Sequence, residues 1–282
     1  MKVYSWEDVE SLESGGAAAS SGFAKSSAVC IGGFDGMHLG HQAIFDALFE
    51  WKEKREAQGF DAGQKILAGA VTFCRSPGAL KNPNYPGDVW TKKFKLEFLE
   101  KRGFDFCVMI DFSENFSKIK GRNFLDQLRK FCSMQFLAAG SDFRLGHNSD
   151  TGVAELSDYA TQNGLELKVL DDITLDNKRV SSSLIRKAVL EGDFALAKKL
   201  LGHPFCIDGS PFTWKACSSD VGLSLIANER TTQVLPKAGR FSVGVVCDDK
   251  KSSAFFCAEG QFLRLEFPLG QNPTKVQEIE FL

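Results

Sequence analysis

Ala28-Val29-Cys30-Ile31-Gly32-Gly33-Phe34-Asp35-Gly36-Met37-His38-Leu39-Gly40-His41 decides the architecture. Ala28–Ile31 is a short apolar run with no polar alternation, the pattern of a strand buried on both faces. A glycine-rich turn follows it. From His41 to about Gln58, Ile44, Leu48 and Trp51 share one helical face, while Glu50, Lys52, Glu53 and Arg55 lie mostly elsewhere. Gly59 stands where such a helix would end. A strand, a glycine turn and a long helix open a parallel α/β sheet.

The alternation continues outward from this stretch. Ile66–Phe73, Phe106–Ile110, Gln135–Ala139 and Leu165–Leu170 read as strands, with Thr91–Arg102, Asn123–Cys132 and Ala154–Gln162 as helices among them. This predicts a doubly wound, Rossmann-like parallel sheet with helices on both faces. Ser182–Glu191 and Phe194–Leu201 read as two more helices parted by Gly192-Asp193. After Gly202-His203-Pro204 the apolar runs shorten: Leu223–Ala227, Thr231–Leu235, Phe241–Cys247, Ala254–Cys257 and Phe262–Phe267. They predict a small antiparallel β-barrel domain over 204–282, following an α/β domain over 1–203. At roughly 150 residues per domain, 282 residues agree with two.

Composition narrows the class. Hydrophobic residues at 43% and charged residues at 25% describe a globular chain. With 34 Lys+Arg against 36 Asp+Glu, the net charge of −2 offers no global field for nucleic acid or an anionic membrane. No apolar run approaches the ~18 residues of a membrane span. Met1–Asp8 is acidic and mixed, without a signal-peptide core. None of the eight cysteines forms a C-x-x-C pair, and most sit in apolar surroundings, so they read as reduced, small core residues. The expectation is a soluble, cytoplasmic protein. Residues 11–27, rich in Ser, Gly and Ala, read as a loose loop. Lys25 follows Ala24 there, so no Walker-type phosphate loop is present.

Two stretches carry chemistry. In Gly32–His41, glycines let backbone N–H groups approach a ligand, and the following helix N-terminus favours negative charge. His38 and His41, two of only four histidines in the chain, stand at the mouth of that helix and can both face a phosphate. The plain alternative is a glycine turn with two incidental surface histidines. The second stretch is Arg179-Val180-Ser181-Ser182-Ser183-Leu184-Ile185-Arg186, where serine hydroxyls at a helix start stand one turn before a fixed cation. Taken alone, it is also an ordinary serine cap.

Together these residues resemble a known family. Phe34-Asp35-Gly36-x-His38-x-Gly40-His41 with Ser181-Ser182-Ser183-x-x-Arg186 is similar to the HxGH nucleotidyltransferases, and more narrowly to the bacterial FAD synthetases, the prokaryotic riboflavin kinase/FMN adenylyltransferases. Gly140-Ser141-Asp142-Phe143-Arg144-Leu145-Gly146 is similar to that family's G-x-D-F-R-F-G segment, and Gly192–Phe205 to the segment joining its two domains. The likeness runs in order from about residue 28 to 206. It implies the reaction ATP + FMN → FAD + pyrophosphate, with Mg²⁺ bridging phosphates. By this resemblance His38 and His41 contact the ATP phosphates, and Ser182, Ser183 and Arg186 hold the leaving pyrophosphate. Gly32, Gly33, Phe34, Asp35, Gly40, Asp142, Phe143, Arg179 and Ser181 complete the implied nucleotide and flavin contacts.

Departures are equally specific. Thr72-Phe73-Cys74-Arg75-Ser76-Pro77 lacks the histidine of the family's T-F-[DE]-P-H-P turn, and Arg75 is a candidate replacement. Position 183 is Ser where the family often has Thr. No P-T-A-N follows residue 204, and Gly209–Thr213 does not reproduce the kinase motif. Leu235-Pro236-x-x-Gly239-Arg240-Phe241 retains a faint likeness to a later kinase strand. The C-terminal domain is therefore expected to be a degenerate kinase-like module, with Glu259 and Glu266 on solvated faces. A bifunctional enzyme, a nucleotidyltransferase acting on another phosphate, and a flavin-binding protein without turnover stay open as alternatives. Phe104, Phe106, Phe112 and Phe116 read as core rather than as a flavin pocket.

Overall fold

A parallel strand buried on both faces needs helices above and below it, and the chain supplies them in turn. The computed structural model describes residues 1–11, 26–59, 65–113, 115–219, 222–259, 262–269, 271, 273 and 275–282. Most of the expected 11–27 loop, Lys25 included, lies outside the described residues. The chain forms two units, Met1–Pro77 with Lys95–Ile173, and Gly78–Phe94 with Thr174–Leu282.

The elements of the first part of the chain are β1 (Lys2–Tyr4), α1 (Trp6–Glu10), β2 (Ser27–Ile31), α2 (Leu39–Ala57), β3 (Leu67–Phe73), α3 (Gly78–Lys81, in the second unit), α4 (Lys92–Arg102), β4 (Phe106–Ile110), α5 (Gly121–Cys132), β5 (Met134–Gly140), α6 (Val153–Asn163) and β6 (Glu166–Leu170). The first unit's six strands are all parallel, in the order β1-β4-β3-β2-β5-β6. Alternation separates the two faces. Val108, Val71 and Ile31 lie in register and join Trp6, Val9, Phe124, Leu128 and Leu156 in one cluster under α1, α5 and α6. Cys107, Ala70, Cys30 and Ala138 form the neighbouring row, all fully buried. Their small side chains suit the close approach of α2, which packs on β2, β3 and β5 and buries Ile44, Phe45 and Leu48.

The N-terminus is a structural element. β1 extends the sheet beside β4, Ser5 and Asp8 close a capping box on α1, and Trp6 stacks on Phe124 at 4.7 Å. The stretch is too short for periodicity to announce it. Phe104 and Phe106 are buried, while Phe112 and Phe116 meet each other and Phe73 edge-on. The eight cysteines are free, five of them buried and only Cys217 exposed.

The second unit contains a hairpin, β7 (Thr174–Leu175) and β8 (Lys178–Arg179), the helices α7 (Ser182–Glu191) and α8 (Phe194–Leu201), and strands β9 (Cys206–Asp208), β10 (Lys215–Ser219), β11 (Gly222–Ala227), β12 (Ala238–Cys247), β13 (Lys250–Glu259), β14 (Phe262–Phe267) and β15 (Val276–Phe281). β9 to β15 form an antiparallel sheet in the order β10-β11-β14-β13-β12-β15-β9. Its aromatic centre is Phe194, Phe205, Phe256 and Phe281, with Phe194 and Phe281 stacked at 4.0 Å. One expected strand is absent. Thr231–Leu235 makes only an isolated bridge, Gln233 to Asp88. The Gln233 side chain is buried and works as a connector, accepting from the Asp208 N–H and donating to the Val89 and Cys206 carbonyls. A polar residue inside an apolar run supplies side-chain bonds to the backbone of β9 and of Val89 instead of joining a ladder. Among the described residues no helix is long and apolar enough to cross a membrane.

Candidate active site

β2 has β3 on one side and β5 on the other, so the order of strands reverses at its edge. In open α/β sheets, ligands bind beyond the carboxyl ends of the strands at such a switch point. The segment leaving β2 there is Gly32–His38. Phe34, Gly36 and Met37 all take positive φ (42°, 83° and 45°). A bulky residue holds that conformation only when its surroundings fix it. Here both bulky side chains are fully buried, and the Phe34 ring meets His41 at 5.2 Å and Phe45 at 4.9 Å. Phe34 is thus the anchor of the turn, and what it can offer a nucleotide is backbone.

The Gly33 carbonyl is pinned from below. Thr72 Oγ1 donates to it at 3.0 Å and Lys95 Nζ at 3.2 Å; Lys95 also donates to the Phe73 carbonyl at 3.0 Å and is fully buried. Above, Gly33 is exposed, and a Cβ placed on it would meet nothing within 4 Å. The loop therefore keeps an open face toward solvent. Lys95 was not singled out by motif, although its spacing to Phe98 and Leu99 sets it on the apolar face of α4.

His38 caps α2. Its Nδ1 accepts from the His41 N–H at 3.4 Å, and the same N–H donates to the His38 carbonyl at 2.8 Å. The two imidazoles stack, with centroids 3.6 Å apart. His41 Nδ1 is buried with no hydrogen-bond partner among the described residues. Burial first, then His38 and Lys95, hold His41 well below the ordinary histidine value of 6.5, so it is neutral near pH 7. Asp35 is buried, and Gly40 lies in the first turn of α2. β5 runs parallel beside β2 and ends at Gly140, so Asp142 and Phe143 leave the sheet at the same end as the histidine loop. Asp142 is exposed and Phe143 buried. Arg75, just past β3, is exposed at that end as well.

The remaining predicted residues belong to the second unit. Asp176 and Asn177 both take positive φ (49° and 60°), the two-residue turn of the β7–β8 hairpin that presents Arg179 to solvent. Ser181 is the cap of α7, its Oγ accepting from the Leu184 N–H at 3.2 Å. Ser182 and Ser183 begin the helix, half-buried and exposed. Arg186 is only 8% exposed; its Nε donates to the Gly87 carbonyl at 2.9 Å and Nη2 to the Tyr85 hydroxyl at 2.7 Å. No sequence signal marks Tyr85, which sits in the turn-like run Asn82-Pro83-Asn84-Tyr85-Pro86-Gly87. Glu266 pairs with Arg240 and Arg264 on the sheet. Among the described residues no three His, Cys, Asp or Glu gather as a metal site.

A model of the FAD synthetase family matches residues 21–184, from before β2 into α7. The chain belongs to the FAD synthetase family. Members similar to it include the bifunctional riboflavin kinase/FMN adenylyltransferase of Buchnera aphidicola subsp. Schizaphis graminum, 29% identical over 239 residues, covering 83% of this chain and 73% of that one. The protein of the same name from Escherichia coli K12 is 28% identical over 218 residues, covering 77% and 67%. This FAD synthetase family member also shares its fold with a crystal structure titled macrolide-efflux protein from Streptococcus pneumoniae, with a TM-score of 0.78 at 19% identity, covering 100% of this chain and 89% of that one. That likeness concerns fold alone.

Proposed function

We propose that this protein transfers AMP from ATP to FMN, giving FAD and pyrophosphate. The observation that carries the reading is the stacked pair of buried His38 and half-buried His41 at the N-terminus of α2, on a turn fixed from below and open above, in a chain of the FAD synthetase family. An FMN phosphate oxygen attacks the ATP α-phosphorus in line while the bond to the leaving pyrophosphate breaks. A phosphate monoester is already a competent nucleophile, so no protein nucleophile is required, and catalysis is positioning and charge stabilisation. The helix N-terminus favours the phosphates electrostatically. His41, neutral, contributes a hydrogen bond to the reacting phosphate rather than a full charge. Ser182, Ser183 and Arg186 hold the β- and γ-phosphates. Magnesium enters with the substrate as Mg·ATP. The eight free cysteines suit a reducing, cytoplasmic setting.

A second reading, that riboflavin is also phosphorylated, is favoured by the two activities in the names of the relatives. One experiment tests both: purified protein with Mg·ATP is offered FMN or riboflavin, and products are separated by chromatography. FAD from FMN and nothing from riboflavin is the expected result. Any FMN or FAD made from riboflavin supports the second reading, and no product from either substrate sinks the flavin assignment.

A further inference from the structure

We propose that Tyr85 is a positioning residue for Arg186, and that the antiparallel sheet of the second unit holds it in place through Asp88 and Gln233. The inference rests on the proposed role of Arg186 toward the leaving pyrophosphate. An arginine side chain has many rotamers, and one that must meet phosphate at fixed geometry works best preset. The structure supplies a mount for it. Tyr85 Oη donates to the Asp88 carboxylate at 2.7 Å, which turns a hydroxyl lone pair toward Arg186 Nη2, also at 2.7 Å. The guanidinium carbon lies 4.9 Å from the centroid of the Tyr85 ring, so the same residue supports the cation from its face. The Gly87 carbonyl fixes Nε.

That mount is tied to the sheet. Asp88 is 2% exposed; its N–H donates to the Thr232 carbonyl at 2.8 Å, and its own carbonyl accepts from the Val234 N–H at 2.9 Å. Gly87 has a φ of 120°, and a Cβ there would stand 2.5 Å from the Val234 nitrogen, so the segment lies directly against 233–234. Gln233 then binds this segment, through the Val89 carbonyl, to both ends of β9, through the Cys206 carbonyl and the Asp208 N–H. β9 continues into the sheet through β15. A module lacking the kinase motif thereby gains a use: it is the scaffold of a phosphate-binding arginine.

The test uses the full chain, with inorganic pyrophosphate as the probe in calorimetry and Mg·ATP and FMN in turnover. Tyr85→Phe keeps the ring and removes the hydroxyl. It is expected to weaken pyrophosphate binding and raise the KM for Mg·ATP about tenfold, with the KM for FMN unchanged. In an Arg186→Ala background, Tyr85→Phe should add nothing, because the two act as one unit. Gln233→Leu should give the same split between Mg·ATP and FMN even where it lowers the melting temperature. Unaltered pyrophosphate binding in Tyr85→Phe, an additive loss in the double variant, or a wild-type protein that does not bind pyrophosphate would overturn the proposal. An equal change in both KM values for Gln233→Leu would overturn the scaffold role of the sheet. A wild-type protein that binds pyrophosphate in a Tyr85-dependent way but makes no FAD would leave this inference standing and remove the flavin reading alone.

Discussion

The imidazole rings of His38 and His41 stack with centroids 3.6 Å apart and planes 18° from parallel. Two imidazolium ions at that separation repel, so His38 adds to the burial that holds the His41 value down. The His41 N–H that reaches His38 Nδ1 leaves the His38 ring proton on Nε2. His41→Ala should lower turnover by about a hundredfold or more, the usual effect of deleting one donor to a developing oxyanion. Unchanged turnover would remove His41 from the mechanism.

The lowered His41 value also predicts a pH effect on folding. Below about pH 6.5 the unfolded chain takes up a proton at this position that the native state, with its depressed value, does not. Stability contributed by neutral His41 is therefore present above 6.5 and is lost as the pH falls beneath it. Urea unfolding at pH 7.5 and 5.5 should show a steeper loss for the wild type than for His41→Gln. Equal losses would contradict the assignment.

Lys95 is the second group to probe. Replacing it with Met removes a donor from the Gly33 and Phe73 carbonyls, of which Gly33 keeps Thr72 Oγ1, and about 1–3 kcal/mol of destabilisation is expected from the buried bonds lost. Removing this cation also favours protonated His41, so its titration should move upward. Nuclear magnetic resonance titration of the His41 ring reads this directly, and a downward or absent movement would refute the coupling.

Adjacent glycines in the turn should respond differently. A Cβ on Gly32 would lie 2.6 Å from the ring of Phe34, which is fully buried and cannot yield, so Gly32→Ala should cost about 1–3 kcal/mol in denaturant unfolding. Gly33→Ala meets open space and should change stability by no more than about 0.5 kcal/mol while raising the KM for Mg·ATP. Identical behaviour of the two variants would show that the open face above Gly33 is not where the nucleotide lies.

Thiol labelling of the native protein tests the cysteines. Cys217 is exposed and should react first. Burial pushes the Cys132 thiol up to about 12 and Cys247 to about 11, and raises Cys30 well above its ordinary value, so these three should stay unlabelled until the chain unfolds. Mass spectrometry of peptides after brief labelling decides the order.

Sequence alone determined the α/β alternation, because strands buried on both faces and helices with one apolar face write period and length into local residue order. Phe106–Ile110, Ser182–Glu191 and Phe194–Leu201 fall where they were expected to the residue. The histidine and serine stretches were legible for a related reason: rare residue types sit at fixed spacing on a turn and a helix start. Elements stabilised by partners distant in the chain were not legible. β1 is three residues long and exists as a strand by pairing with β4, and β15 is held by β12 and β9. Gln233 read as part of a strand, yet its side chain joins backbone groups 25 to 144 residues away. Only the tertiary structure could decide that Phe34 is an anchor, that Lys95 lies beneath the histidine loop, and that Tyr85 orders Arg186. A hydrogen bond between distant residues leaves no period in the sequence, and burial of a charged or polar group depends on what folds over it.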